Sequence, residues 1–123
     1  METRNRDLEC YALFDRRLRE QITRLITPEL IEEHRQHPVG PQSDALARVL
    51  NYFRRGPLSG KYAVWARKSF GPYQIIALTG VRGRPPEVVD ERPYATLAEI
   101  YHAIFLRRIE DFNRIQAGHD ERH

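Results

Sequence analysis

Apolar residues recur at helical spacing through most of this sequence, and the pattern becomes strand-like in a single stretch, residues 61–79. Between residues 7 and 26 they lie three or four positions apart, the spacing of one face of an amphipathic helix. The positions predicted to face the core in this and two later helical segments are Leu8, Tyr11, Phe14, Leu18, Ile22, Leu25, Leu46, Val49, Leu50, Phe53, Leu97, Ile100, Tyr101, Ile104, Phe105, Phe112 and Ile115. These stripes favour a mainly helical fold.

Residues that cap or break helices set the predicted limits of the helices. Ser and Thr are favoured immediately before a helix, whereas Gly and Pro are common where a helix ends. The predicted N-caps are Thr27, Ser43 and Thr96, and the predicted stops are Pro38, Gly56-Pro57 and Ala117-Gly118. They divide the helical sequence into four segments, over about residues 7–26, 28–36, 44–55 and 97–117.

Residues 61–67 and 73–79 are rich in strand-forming side chains and flank a turn-bearing loop, which predicts a β-hairpin. Because an isolated hairpin is marginally stable, it must pack on the helices or on a partner. Residues 80–93, with three Pro and two Gly, are predicted to form a loop. The expected fold is α+β and mainly α, with about four helices and one antiparallel hairpin between the third and the last. We predict one domain over residues 1–123, with an ordered core at about 7–117 and a polar tail at 118–123.

The basic residues are unusual in kind and in position. Only Lys61 and Lys68 among the 20 basic residues are Lys, and Arg is the residue suited to planar contacts with carboxylates or phosphates. Residues 45–86, which we call the basic block, hold eight basic residues and no acidic residue. The block is predicted to face either a phosphate-bearing partner or acidic protein surface, whether its own termini or another chain.

Several classes of protein are excluded or disfavoured. No apolar run approaches the roughly 18 residues that a membrane span requires, and the charged first ten residues do not resemble a secretory leader. The single Cys10 makes no internal disulfide, so we expect a cytoplasmic protein. No complete set of catalytic residues is visible, and His34 with His37 lacks the further ligands of a metal site. The sequence therefore predicts no catalytic, cofactor or metal site in this chain.

Nucleic-acid binding is the alternative from a different class. Aromatic residues alternate with basic ones around the predicted hairpin, and stacking on aromatic rings in a basic groove is how single strands are held. The residues concerned are Lys61, Tyr62, Trp65, Arg67, Lys68, Phe70 and Tyr73. Because aromatic residues in strands more often belong to a core, a small Arg-rich nucleic-acid-binding protein is the second interpretation.

Several short segments, taken in their order along the chain, resemble the small (alpha) subunit family of N,N-dimethylformamidase. The most specific is the run at residues 105–111, Phe-Leu-Arg-Arg-Ile-Glu-Asp, preceded by His102-Ala103. The other segments are Tyr11-Ala12 with Asp15 and Arg17, Pro28-Glu29, residues 32–34, residues 51–54, residues 60–62, Tyr73, Pro86-Glu87 and residues 90–92. The resemblance covers about residues 11–111, although residues 67–70 and 81–86 are more basic than this family leads one to expect.

The resemblance implies a non-catalytic, mainly helical accessory subunit that binds a large (beta) subunit in an α2β2 assembly. In that family the large subunit holds the iron and hydrolyses N,N-dimethylformamide, so no cofactor is expected in this chain. Because residues 67–70 and 81–86 differ from the family in charge, a related small amide is the alternative substrate.

A partner interface is predicted at Arg54, Lys61, Trp65, Arg67, Phe105, Arg108 and Asp111. Arg108 is its predicted anchor, because its neighbours three and four positions away on the last helix are mostly apolar. Since a buried charge is seldom unpaired, we expect Arg108 to pair with Asp111 or with a carboxylate of the partner chain. The alternative is that its stem extends over the core and leaves the guanidinium in water. Arg107 is expected to point to the polar side.

Overall fold

The computed structural model describes residues 2–55, 61–66, 68 and 71–121. Four helices and three strands follow one another along these residues. They are α1 (Glu2–Leu25), α2 (Pro28–Gln36), α3 (Asp44–Arg54), β1 (Tyr62–Ala66), β2 (Tyr73–Ala77), β3 (Glu87–Val88) and α4 (Leu97–Glu121). The predicted mainly helical α+β fold, with its strands between the third and last helices, is confirmed.

The predicted N-caps form the local contacts that begin three of the helices. The side-chain oxygens of Thr27 and Ser43 each accept a hydrogen bond from a main-chain N–H three residues later, both at 3.2 Å. The Thr96 hydroxyl accepts one from the N–H of Glu99 in the same way. The Glu33 carboxylate also accepts bonds from the N–H and the hydroxyl of Ser43, at 2.7 and 2.6 Å, and so ties α2 to the start of α3.

The strands form an antiparallel sheet in the order β1-β2-β3. β1 and β2 are the predicted hairpin, with Val64 opposite Ile75. β3 was not predicted, because two residues preceded by Pro85-Pro86 give no strand pattern; it pairs Val88 with Ile76 inside the stretch expected to be a loop. The hairpin therefore gains a short third strand as support, and α4 packs against β1 and β2.

Two clusters of buried side chains make up the core. The first joins the four helices and is built from Ile22, Leu30, Leu46, Val49, Leu50, Phe105, Ile109 and Phe112. The second joins the sheet to α4 and is built from Ile75, Ile100 and Ile104. Because α4 contributes to both clusters, it is the element on which helices and sheet meet.

The apolar stripes of α1 and α4 are buried only in part, which corrects the sequence prediction. Ile22 is 2% exposed, but Phe14, on the same predicted stripe, is 62% exposed. On α4, Leu97, Tyr101 and Ile115 are exposed although they were predicted to be buried. α4 also continues to Glu121 rather than ending near residue 117, so the start of the predicted tail is helical.

No helix in the described part of the chain is both long and apolar enough to cross a membrane.

Candidate functional site

A cleft of about 630 Å³ opens where α3, α4, β1 and the loop between α2 and α3 meet. Leu50, Ile104 and Phe105 form its apolar floor, and Tyr62 lines its β1 side. Val39 and Tyr101, exposed by 67% and 37%, form part of its rim. Two arginines, Arg54 and Arg108, also line it, and we call it the arginine cleft.

The two arginines come from different helices. Arg54 is the last residue of α3 and is exposed, and its guanidinium donates to the side-chain oxygen of Asn51 at 3.3 Å. Arg108 lies in the middle of α4 and is half-buried. Burial lowers the pKa of the Arg108 guanidinium, and the nearby Arg54 cation lowers it further, because both disfavour the charged form. Among the described residues, no carboxylate forms an ion pair with either arginine.

Asp111, the predicted partner of Arg108, is used elsewhere. Its carboxylate accepts a hydrogen bond from the Tyr62 hydroxyl and lies 3.3 Å from Arg114. The predicted pair between Arg108 and Asp111 is therefore wrong. The sequence pattern could not reveal Tyr62 as the competitor, because it stands 49 positions away and comes from the sheet.

Arg107 was expected to point to the polar side. Instead Arg107, and not Arg108, forms a half-buried ion pair with one of the described carboxylates. Its guanidinium lies 3.4 Å from the Asp90 carboxylate, and both side chains are half-buried. The pair fixes the loop after β3 against α4. Hydrogen bonds from the main-chain N–H of Arg92 and from Arg107 hold the pKa of Asp90 below its usual range.

The other predicted interface residues lie in different surroundings. Lys61 donates from Nζ to the main-chain oxygen of Arg54 at 2.7 Å, and so closes the end of α3 against the start of β1. Trp65 is 44% exposed on β1. Phe105 is 2% exposed and belongs to the core, which corrects its placement at an interface. Arg67 lies outside the described residues.

A pair of histidines, which sequence spacing did not identify, lies at the α2 side of the cleft, where His34 is one of the lining residues. The Nδ1 atoms of His34 and His102 are 3.0 Å apart, and the His34 ring is stacked on Phe105 with ring centres 4.1 Å apart. His34 is 3% exposed. Burial and the proximity of His102 lower the pKa of His34 to about 4, against an opposing effect of Glu33. Burial and the Arg35 cation lower the pKa of His102, against an opposing effect of Glu32.

This arrangement makes His34 a core residue. Nδ1 of one ring must donate to Nδ1 of the other, so at neutral pH the pair is satisfied with both rings uncharged. His37, the residue that sequence spacing paired with His34, is instead the exposed C-cap of α2. Within the described residues, no group of three or more His, Cys, Asp or Glu is placed to hold a metal ion.

Most of the described basic side chains of the basic block form no ion pair with the acidic residues before and after it. Of its described basic side chains, only Arg48 forms an ion pair, with Asp44 of the same helix at 3.0 Å. The others are Arg54, Arg55, Lys61, Lys68, Arg82 and Arg84, of which all but the half-buried Lys61 are exposed. Among the described residues, six of the seven basic side chains of the block therefore form no ion pair.

The comparisons with known proteins identify one family. Residues 9–119 match the sequence model of the family described as N,N-dimethylformamidase alpha subunit. The N,N-dimethylformamidase alpha subunit of Alcaligenes sp. is 42% identical over 113 residues, which cover 88% of this chain and 84% of that protein. That of Paracoccus aminophilus is 39% identical over 112 residues, covering 87% of this chain and 78% of that protein.

Proposed function

We propose, from the premise that this chain belongs to the N,N-dimethylformamidase alpha subunit family, that it is the small, non-catalytic subunit of an amide hydrolase. In this proposal it binds and stabilises a large subunit in an α2β2 assembly. The large subunit carries the iron and hydrolyses N,N-dimethylformamide or a related small amide, and the assembly works in the cytoplasm.

The observation that carries the proposal is sequence identity to two proteins named as alpha subunits. It is 42% to one and 39% to the other, over most of this chain and most of each relative. An alpha subunit belongs to an enzyme with at least one other kind of subunit. Features of the surface support the same conclusion. Apart from Arg48, the described basic side chains of the basic block form no ion pair with a described residue. Phe14 and Trp65 are large and exposed, as side chains at subunit interfaces are before assembly.

Co-expression with the large chain tests the proposal directly. The two chains should elute together in size-exclusion chromatography, and the complex should contain iron and hydrolyse N,N-dimethylformamide or a related amide. The small chain purified alone should show no amidase activity. Separate elution of the two chains, or amide hydrolysis by the small chain without metal, would contradict the proposal.

A further inference from the structure

The arginine cleft is electrostatically incomplete in the free chain. Charged side chains are rarely buried unless they are paired, yet half-buried Arg108 has a second cation, Arg54, as its charged neighbour. No carboxylate of the described residues lines the cleft, and the half-buried carboxylates of Asp111 on α4 and of Asp90 in the loop after β3 are already used, the first by Tyr62 and Arg114 and the second by Arg107. The described part of the chain therefore holds the two cations in one cleft and provides no counter-charge.

The lining of the cleft indicates what kind of group completes it. Leu50, Ile104 and Phe105 give it an apolar floor, and Val39 and Tyr101 add apolar surface at the rim. A planar guanidinium matches a carboxylate through two parallel hydrogen bonds. An acidic side chain flanked by apolar residues fits this combination, whereas a nucleic-acid backbone would bring several phosphates against the apolar rim.

We propose that the arginine cleft receives an acidic side chain of the large subunit, whose carboxylate accepts hydrogen bonds from Arg108 and Arg54. The proposal rests on the proposed function, since it takes the large subunit as the partner. The apolar residues beside that acidic side chain pack on Val39 and Tyr101. Docking thus provides the counter-charge that the free chain lacks and removes the guanidinium of Arg108 from water.

The test compares variants of the small subunit for affinity to the purified large chain and for thermal stability alone. Arg108→Met keeps an unbranched apolar stem and removes the guanidinium with its charge, and Arg54→Gln removes the charge at an exposed site while keeping a polar end group. Each should weaken binding about tenfold or more, because it removes one of the two cations that hold the partner carboxylate. Arg108→Met should also leave the melting temperature of the free chain equal to or above that of wild type, because it removes repulsion from Arg54.

Two matched controls lie at α3, away from the cleft. Arg48→Gln within α3 and Arg55→Gln at its C-cap each remove a positive charge from an exposed position that does not line the cleft. They should change the affinity less than about twofold, since exposed charges are screened by salt. The salt dependence of binding should be shallower for Arg108→Met than for either control.

The outcomes separate this inference from the function on which it rests. If the wild-type chain does not bind the large chain, the proposed function fails and the inference with it. If wild type binds and the cleft variants bind equally well, or no worse than the controls, only the inference is overturned. It is also overturned if Arg108→Met lowers the melting temperature of the free chain, or if the cleft variants reduce binding to an oligonucleotide but not to the large chain.

Discussion

At the scale of single residues, His34 shows how a polar group is accommodated in the core. Its ring is stacked on Phe105, and its Nδ1 atom is satisfied by His102. Burial disfavours the charged form of each ring and lowers both pKa values, so protonation of the pair costs stability. The pair therefore makes the stability of the free chain sensitive to pH.

Acidification from pH 7 to pH 5 should destabilise the free chain. The pKa of His34 is about 4 when folded and about 6.5 when unfolded, so the unfolded state binds more protons in this range. Stability is thus lost as the pH falls through the unfolded pKa, by about 2 kcal/mol at pH 5. The carboxylates with lowered pKa, Glu32, Glu33 and Asp90, lose their contribution only below about pH 4.5.

Urea unfolding at several pH values measures this effect. His34→Leu should remove most of the slope between pH 5 and pH 7, although it lowers stability at neutral pH by leaving His102 without its partner. His37→Gln, at the exposed C-cap, should keep the wild-type slope. Equal slopes for wild type and His34→Leu would show that the titrating group lies elsewhere.

The hydroxyl of Tyr62 joins the sheet to α4 through Asp111. Tyr62→Phe should lower the free energy of unfolding by about 1.5 kcal/mol, the usual contribution of a hydrogen bond to a charged group. Tyr101→Phe, which removes a hydroxyl from an exposed position on α4, should leave the free energy within about 0.5 kcal/mol of wild type. Chemical denaturation of the two variants side by side provides the measurement, and equal losses would contradict this role.

The sequence identified Arg108 as an anomaly but not its surroundings. Its apolar neighbours on α4 follow from helical spacing alone, so a charge in the middle of the stripe was visible. Which carboxylates are already engaged depends on Tyr62 from β1 and on Asp90 from the loop after β3. Such contacts between distant positions leave no periodic pattern in a single sequence.

At the scale of elements, α1 is longer than the helix that covers it. Its 24 residues extend about 36 Å, whereas the 11 residues of α3, which packs against it, extend about 16 Å. The apolar stripe of α1 is consequently buried at Ile22 and exposed at Phe14. Helical periodicity predicts which side of a helix is apolar, but not how far along its length a neighbour reaches.

Substitutions along this stripe should differ sharply in their effect on the free chain. Ile22→Ala should lower the free energy of unfolding by about 2–4 kcal/mol, because it leaves a cavity in the helical core. Phe14→Ala should change it by less than about 0.5 kcal/mol, because the ring is already in water. Thermal or urea unfolding distinguishes the two, and a large loss for Phe14→Ala would mean that this end of α1 is packed.

The short strand β3 is the element that the sequence did not predict. The hairpin β1–β2 was predicted from its side chains, whereas β3 consists of Glu87 and Val88 alone. Its position is set by pairing with Ile76 and Ala77, not by a pattern of its own. The predicted loop is therefore held to the sheet more closely than its Pro and Gly content indicated.

At the scale of the whole molecule, the placement of the charges distinguishes a nucleic acid from an acidic protein as the partner. Binding to the phosphates of a nucleic acid without regard to its sequence is mainly electrostatic and depends steeply on salt. Docking on an acidic protein surface also requires that the two surfaces match in shape. The apolar lining of the arginine cleft is the feature that favours a protein. Composition alone left this choice open, because it counts charges without placing them.

Oligonucleotide titration by filter binding should therefore give weak association. We expect a dissociation constant above about 1 µM at near-physiological salt, with no preferred sequence, which is the level of non-specific binding. Replacing Lys68, Arg82 and Arg84 together by Gln should weaken it further, since these described residues of the basic block are exposed. Nanomolar affinity with a steep salt slope would favour the nucleic-acid-binding interpretation.

The position of α4 has a consequence for the order in which the chain can fold during its synthesis. Domains fold as units, and the amino-terminal part leaves the ribosome first. α4 follows every other described element, yet it supplies Ile100 and Ile104 to one core cluster and Phe105, Ile109 and Phe112 to the other. A nascent chain that stops before Leu97 thus has two unfinished cores, and its apolar surface stays open until translation passes Phe112.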